Sequence, residues 1–228
     1  MVHRTAISNA KRFYDAYVAR LGDVSIVEIG SQDVNGGIRA SLGPNNRYTG
    51  VDFVAARGVD VVLEDPYKLP FPDASTDVVV SSSCYEHSEF FWLSFLEVIR
   101  ILRPGGLFYL NAPSNGPVHG YPVDCWRFYP DSGRALARWA VHQGYDVVLL
   151  ESYTSEQEEG YFNDFVAVFL KDSTQVEKHP NRILTTFKAM GNGYVYGNAD
   201  VLNKQQVTED QRALQALQRY LQNRLKPV

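Results

Sequence analysis

A segment between residues 111 and 133 has the composition of a binding or catalytic loop. Within residues 119–129 it holds one histidine, one aspartate, one arginine and four aromatic residues. These are His119, Tyr121, Asp124, Trp126, Arg127, Phe128 and Tyr129. Prolines stiffen the segment and no helical or strand period explains its aromatics, so we predict a long functional loop. Histidine has a pKa near neutrality and can take a proton from a hydroxyl group. We predict His119 as the catalytic base, and Asp124 as the alternative base or as the partner that orients it.

The aromatic residues of this loop also suggest what it binds. A flat aromatic surface beside polar side chains suits a sugar ring or a planar aromatic acceptor. We therefore predict that Tyr121, Trp126 and Arg127 bind the substrate. The alternative is that Trp126, Phe128 and Tyr129 pack a lid onto the core, with Arg127 paired to a carboxylate.

A second polar segment, VEIGSQDVNGG (27–37), joins a buried strand to what we expect to be a helix. Gly30 allows a tight turn, and Gly36–Gly37 allow a ligand to approach the backbone at a helix amino terminus. Asp52 ends the next strand, where a carboxylate can accept both hydroxyls of a ribose. The GxGxxG spacing that suits a pyrophosphate is absent, because Gln32 and its neighbour stand where bare backbone is needed. The pattern favours a nucleoside without phosphates.

Short apolar runs alternate with helical segments along the chain. The predicted strands are 24–29, 47–53, 59–64, 76–83, 106–113, 146–152 and 164–170, and the predicted helices are 9–21, a segment that ends at Pro104–Gly106, and 131–143. This alternation predicts a Rossmann-like, doubly wound α/β fold with a mostly parallel, seven-stranded sheet. Ligands of such sheets bind at the carboxyl ends of the strands, where both polar segments fall.

We predict two units, a domain over 1–170 and a C-terminal extension over 171–228. Residues 171–207 have no clear period and are expected to be irregular. The stretch 208–225 predicts an amphipathic helix that begins with a capping box of Thr208 and Gln211. Its apolar face carries Leu214, Leu217, Leu221 and Leu225. That face could pack on the chain's own domain, form a homodimer contact or cap the active site.

Composition limits the class of protein. The formal net charge of −4 provides no basic field for phosphates, so we expect no nucleic-acid partner. No apolar run approaches the roughly 18 residues of a membrane span, and the first residues lack a signal-peptide core. Cys84 and Cys125 have no CxxC spacing, so we expect a reduced, cytoplasmic setting, buried thiols and no cysteine-bound zinc.

The order of motifs resembles a known family. VEIGSQDVNG is followed by VDF, then LEDPYKLPFPDASTDVVVSSSCYEH, then FLEVIRILRPGGLFYLNAP. This series resembles class I S-adenosylmethionine-dependent methyltransferases, in particular the small-molecule branch called type 11, and the likeness covers residues 24–113. Only the first motif departs from the commoner ExGxGxG. The resemblance implies S-adenosylmethionine as the cofactor and a reaction in which alignment of the acceptor is the main task.

The resemblance also implies which residues hold the adenosine half of the cofactor. Asp52 would bind the ribose hydroxyls, and Phe53 would lie against the adenine. Asp65 would accept a hydrogen bond from the adenine amino group. The next residue in relatives offers its backbone N–H to the ring, but Pro66 has none, so adenine recognition must be looser or rearranged here.

For the methionine half, the resemblance implies a second set of residues. The turn Gly30–Ser31 would pass beneath the methionine, and Glu28 would orient the loop or meet the amino group through water. Ser82 and Ser83 would line the methionine side. His87 would shape the cofactor pocket, with a role as base as the alternative.

Glu86–His87 raises the question of a metal. Some relatives hold a divalent ion with Glu-x-x-Glu-His and a later histidine, but Ser83 stands at the first acidic position here. The ligand set is incomplete, although His119 or Asp124 could complete it in space. We expect no resident metal.

These inferences predict a methyltransferase that acts on a small-molecule or glycan acceptor at oxygen. The loop pattern HxYPxDxWRF resembles loops of bacterial methyltransferases of surface-glycan or other secondary-metabolite synthesis, which tilts the expectation toward a sugar. One alternative is a catalytically silent subunit that binds the cofactor for assembly or regulation. The other is an NAD-dependent oxidoreductase, which the missing pyrophosphate glycines and the lack of a Tyr-x-x-x-Lys pair disfavour.

Overall fold

A computed structural model describes residues 3–158 and 162–224. Its strands are β1 (Ser25–Ile29), β2 (Arg47–Asp52), β3 (Val61–Val62), β4 (Thr76–Ser82), β5 (Leu102–Pro113), β6 (Val147–Ser155), β7 (Asp164–Lys171) and β8 (Met190–Val195). Its α-helices are α1 (Arg4–Phe13), α2 (Phe91–Ile101), α3 (Pro130–His142) and α4 (Glu209–Arg224). The described strands form one sheet in the order β3-β2-β1-β4-β5-β7-β6-β8.

The sheet has a parallel half and an antiparallel half. Strands β3, β2, β1, β4 and β5 pair in parallel, whereas β7 runs antiparallel to both β5 and β6. The chain goes outward from β1 to β2 and β3, then crosses to β4 on the other side of β1. A crevice therefore opens between the carboxyl ends of β1 and β4, the usual ligand position in such sheets. The Rossmann-like α/β prediction is confirmed.

Both faces of the sheet are covered. Alternate strand residues point to opposite faces, so Val27 and Ile29 of β1 join the apolar layer under α2 and α3. Ile26 points the other way and packs with residues of α1 such as Phe13. A strand buried on both faces accounts for the nearly continuous apolar run that predicted β1.

The N-terminal helix starts earlier than predicted and changes its winding. After α1, residues 14–18 form a π-helical turn in which the Ala19 N–H donates to the Tyr14 carbonyl. This wider turn rotates the later residues relative to an ideal helix. Phe13 and Tyr17 are fully buried, whereas Leu21, at the end of the predicted helix 9–21, lies outside the helix and is exposed.

The prediction of a helix after Gly36–Gly37 is wrong. The connection from β1 to β2 contains only a 3₁₀ turn over Arg39–Leu42, which ends at Gly43 with φ +82°. A glycine in this conformation followed by proline ends a helix. No helix amino terminus therefore faces a ligand here, and the Gly36 N–H donates instead to the Asp33 carboxylate at 2.7 Å.

Strand β8 lies in the segment that we expected to be irregular. It pairs antiparallel with β6, so the sheet has eight strands and extends beyond the predicted boundary at residue 170. Its sequence, MGNGYV, contains two glycines, which are depleted in strands and conceal the pattern.

Helix α4 has the predicted capping box, since Thr208 and Gln211 bond each other's backbone N–H. Its apolar face does not pack on the described part of the domain, because Leu214, Leu217 and Leu221 are each about half exposed. Leu225 lies outside the described residues. The homodimer contact and the active-site cap therefore stay predictions. Within the described ranges, no helix has the length and apolarity to cross a membrane.

Candidate functional site

A cavity of about 290 Å³ opens at the carboxyl ends of β1, β2 and β4. This volume lies near the lower end of the range of about 300–1,000 Å³ typical of small-molecule sites. The predicted site residues that line it are Gly30, Asp52, Phe53, Ser83, His87 and Tyr121. The cavity thus brings together residues from both polar segments of the sequence.

Gly30 is fixed by both conformation and space. Its φ is +75°, in the left-handed region that favours glycine. A Cβ at this position would lie 2.4 Å from both Cβ and Sγ of Cys84, which also lines the cavity. The bare backbone therefore forms the floor of the cavity at the end of β1.

Asp52 stands at the tip of β2 with its carboxylate held in place. Oδ1 accepts a hydrogen bond from the Phe53 N–H at 2.7 Å, and Oδ2 accepts a longer one from the Gln32 N–H at 3.3 Å. Each oxygen keeps acceptor capacity for a further donor. Beside it, the Phe53 ring is 51% exposed on the cavity edge. A carboxylate next to an exposed ring can bind ribose hydroxyls and cover a purine.

The charges around the cavity select the kind of ligand. Asp52 and Glu89 line it, and no lysine or arginine of the described chain does. A diphosphate would meet two carboxylates and no cation, whereas a positively charged ligand would be attracted. The donor set therefore fits a phosphate-free nucleoside such as S-adenosylmethionine, whose sulfonium is cationic, and does not fit NAD.

Glu28 lies outside the cavity lining. Strand alternation turns it toward Tyr48, whose hydroxyl donates to the Glu28 carboxyl at 2.8 Å. Burial raises the pKa of Glu28 to about 7, and the hydrogen bond from Tyr48 opposes that rise. Its predicted contact with the cofactor stays a prediction.

Three other predicted cofactor residues also lie outside the lining. The Asp65 carboxylate accepts from the Tyr67 N–H at 2.8 Å and closes a turn, so that Pro66 and Tyr67 line the cavity instead. Ser31 and Ser82 are buried, and their hydroxyls have no hydrogen-bond partner in the described structure.

Next to the cavity lie Glu86, His87 and His119, which we call the Glu86 cluster. Glu86 is fully buried, and Nε2 of His87 and of His119 lie 3.6 Å and 3.9 Å from its Oε1. Neither carboxylate oxygen has a hydrogen-bond partner among the described residues. Burial raises the pKa of Glu86 to about 8 and lowers that of His87. His87 is the member of the cluster that lines the cavity, and Glu86 and His119 adjoin it.

The loop after β5 holds His119 in place through Asp124. The Asp124 carboxylate accepts from the His119 backbone N–H at 2.7 Å and lies 3.5 Å from Nδ1 of its ring. The guanidinium of Arg127 donates to both Asp124 oxygens, at 2.5 and 2.9 Å, and holds the pKa of that carboxyl well below its usual range. Asp124 is therefore a weak base, and its geometry supports the orienting role.

The aromatics of the loop divide between packing and the cavity. Phe128 is buried against Phe91, and Trp126 packs edge-on against the same ring and donates to the Ser88 carbonyl. With Arg127 paired to Asp124, these contacts match the interpretation of the loop as a packed lid for Phe128 and Trp126, whereas Tyr129 is 43% exposed. Of the three predicted acceptor-binding residues, only Tyr121 lines the cavity. The thiol of Cys125 is exposed, contrary to expectation.

A buried polar network beside the Glu86 cluster escaped sequence analysis. Asn111 donates to the fully buried Asp164 carboxylate at 3.0 Å, and Nε2 of His3 lies 3.2 Å from its other oxygen. In the sequence, the only signal of this network was a polar residue in each of two apolar strands: Asn111 lies inside 106–113, and Asp164 begins 164–170. Pairing of β5 with β7 brings the two residues to one edge of the sheet.

Comparisons with known proteins show a similarity to methyltransferases over part of the chain. Residues 35–110 match the family described as Methyltransferase domain. A phthiotriol/phenolphthiotriol dimycocerosates methyltransferase of Mycobacterium tuberculosis is 41% identical over 71 residues, which are 29% of this chain and 25% of that protein. An uncharacterized methyltransferase of Mycobacterium avium is 33% identical over 103 residues, 45% of this chain and 40% of that one. The match thus spans about a quarter of the length of the first relative.

One solved structure shows how far the similarity of fold extends. The Burkholderia thailandensis 1,6-didemethyltoxoflavin-N1-methyltransferase, with bound 1,6-didemethyltoxoflavin and S-adenosylhomocysteine, superposes with a TM-score of 0.59 at 17% identity. The superposition covers 74% of this chain and 79% of that one. At this identity the comparison establishes the fold.

Proposed function

We propose that this chain, which carries a class I S-adenosylmethionine-dependent methyltransferase domain, moves the cofactor's methyl group to a hydroxyl of a small acceptor, a sugar or glycan terminus. The observation that carries the proposal is one cavity with a carboxylate beside an exposed aromatic ring at one end and a histidine at the other. Asp52 and Phe53 lie at the first end, and His87, which adjoins Glu86 and His119, lies at the second.

At the nucleoside end, the chain's own residues provide shape and charge. Asp52 would accept the ribose hydroxyls, Phe53 would cover the adenine, and Gly30 and Ser83 would border the methionine. S-adenosylmethionine supplies an activated methyl group on a positively charged sulfur. The carboxylates of the lining favour that charge, and they disfavour the diphosphate of NAD.

At the acceptor end, His119 offers a hydrogen-bond acceptor. Its ring is 29% exposed, and its Nε2 can accept a hydrogen bond from a hydroxyl of the ligand. The half-exposed Tyr121 ring on the cavity wall offers a surface against which a sugar can stack. These features support an oxygen acceptor.

Methyl transfer to a hydroxyl also requires removal of its proton. We assign this step to His119, whose ring is 29% exposed and has Asp124 beside Nδ1. Asp124 positions the ring and stabilises the imidazolium that forms. Arg127 keeps Asp124 ionised for that role.

The proposal is tested with methyl-labelled S-adenosylmethionine and a panel of sugars, glycan termini and phenols. S-adenosylhomocysteine is quantified, and NMR of the product identifies the methylated atom. Loss of a general base typically costs about 10²–10⁴ in rate, so His119→Ala should lower kcat by at least about 100-fold. His142→Ala, a change at the end of α3, serves as the matched control and should retain the wild-type rate.

Two outcomes contradict parts of the proposal. A methyl group on nitrogen or carbon would overturn the oxygen assignment. Unchanged turnover in His119→Ala would remove the base while leaving the cofactor site intact.

A further inference from the structure

The Glu86 cluster brings three polar side chains together without a hydrogen bond between them. The carboxylate of Glu86 is fully buried, and neither oxygen meets a donor from the described residues. The Nε2 atom of His87 is likewise buried without a partner in that part of the chain. Buried polar groups are nearly always satisfied, so this arrangement indicates a missing partner.

The partners of the other ring nitrogens define the chemistry at Nε2. Nδ1 of His87 lies 2.5 Å from the Val123 carbonyl oxygen, so in the neutral ring it donates and Nε2 carries the lone pair. Nδ1 of His119 lies 3.2 Å from the Pro117 carbonyl oxygen and 3.5 Å from the Asp124 carboxylate. Its Nε2 therefore also presents a lone pair toward Glu86.

We propose that Glu86, His87 and His119 bind one divalent first-row transition-metal ion through the carboxylate and the two Nε2 atoms. The candidate ligand atoms all lie within 4.8 Å of one another. Bonds of about 2.0–2.2 Å place ligands on opposite sides of an ion about 4 Å apart, so small side-chain rotations suffice. Imidazole ligands favour iron, nickel, copper and zinc over magnesium.

The surroundings of the three ligands suit this role. Metal-binding histidines almost always donate their other ring N–H to a carbonyl or carboxylate, which fixes the ring and its lone pair. Val123 provides that acceptor for His87, and Pro117 with Asp124 provides it for His119. The Arg127–Asp124 pair holds the second contact in place.

Three protein ligands leave coordination positions open, as in catalytic sites. Because His87 lines the cavity, an open position could receive an oxygen of the acceptor. An ion lowers the pKa of a bound hydroxyl. With the ion bound, His119 would be a ligand instead of the base proposed above, and the proton of the acceptor hydroxyl would pass to solvent water. This role rests on the proposed function, whereas ion binding does not.

The experiment titrates metal-free full-length protein with CoCl₂ and, separately, with ZnCl₂ against a chromophoric chelator. We expect one ion per chain and a visible Co²⁺ spectrum of low coordination number, with MgCl₂ failing to compete. Glu86→Gln and His119→Ala should each weaken binding by at least about 100-fold, more than the loss typical of outer-shell changes. His142→Ala and Cys125→Ser serve as controls for a surface histidine and a nearby thiol, and both should bind the ion as wild type does.

Absence of stoichiometric binding in the wild type would overturn the inference, as would unchanged affinity in both Glu86→Gln and His119→Ala. Calorimetry with S-adenosylhomocysteine on the same samples reports folding of the variants. It also separates the two proposals. Binding of the nucleoside without the ion refutes only the metal site, and binding of the ion without the nucleoside refutes only the proposed function.

Discussion

Replacement of Gly30 by alanine tests the geometry of the cavity floor. An L-residue in the left-handed region costs about 1–2 kcal/mol. The new Cβ would also lie 2.4 Å from Cβ and Sγ of Cys84, and such overpacking costs about 1–3 kcal/mol. Gly30→Ala should therefore destabilise the fold by about 2–5 kcal/mol. It should also weaken binding of S-adenosylhomocysteine, because Cys84 lines the cavity and has to move.

A double-mutant cycle separates the two contributions. In a Cys84→Gly background the overlap disappears and only the backbone cost of about 1–2 kcal/mol should remain. Gly144→Ala is the matched control, since Gly144 has φ +89° but open space around it, and it should also cost about 1–2 kcal/mol. Stability is measured by urea unfolding followed by tryptophan fluorescence. The reasoning is refuted if Gly30→Ala costs no more than Gly144→Ala, or costs the same in both backgrounds.

Three further predictions concern the cofactor end, the buried acid and the loop. Asp52→Asn should weaken S-adenosylhomocysteine binding by about 10–100-fold, because hydrogen bonds to a charged group are worth about 1.5–3 kcal/mol; the exposed change Asp131→Asn is the calorimetric control, and equal affinities would exclude the ribose role. Burial raises the pKa of Glu28 to about 7 from 4.5, so the folded state retains a proton that the unfolded chain releases, and stability falls as pH rises between those values. Glu28→Gln should remove up to about 3 kcal/mol of that fall, measured by urea unfolding at about pH 5 and about pH 8; an unchanged difference would contradict the assignment. Phe128→Ala should destabilise the fold by about 3–5 kcal/mol, because it truncates a buried side chain. Tyr121→Ala should change stability by less than about 1 kcal/mol and alter acceptor binding. A larger loss of stability in Tyr121→Ala than in Phe128→Ala, measured by urea unfolding, would contradict these roles.

The sequence predicted well those features that depend on local pattern. Apolar runs such as 24–29 and 76–83 are buried on both faces, so their strands could be identified without tertiary information. Gly30 was predicted as a site residue because the tight turn after strand β1 requires a glycine. Asp52 was predicted because it ends the neighbouring strand β2, where its carboxylate faces a ligand. Both line the cavity.

The features that escaped prediction depend on competing local chemistry or on distant contacts. The predicted helix after β1 is replaced by a short turn that ends at Gly43, and the N-terminal helix ends in a π-helical turn at Val18, before Leu21. Glu86 and His119 are far apart in sequence, and only the fold of the loop after β5 brings the histidine ring toward the carboxylate.

The apolar face of α4 illustrates a further limit. Its 3.6-residue period correctly predicts a helix, but period alone does not specify the surface that the helix covers. In the described structure that face is exposed.

The central claim is that the crevice beside β1 and β4 holds a phosphate-free nucleoside through Asp52. Isothermal titration calorimetry of the full-length protein with S-adenosylhomocysteine, and in parallel with NAD, tests it most directly. We expect one S-adenosylhomocysteine bound per chain and no binding of NAD. Binding of NAD in place of S-adenosylhomocysteine would contradict it.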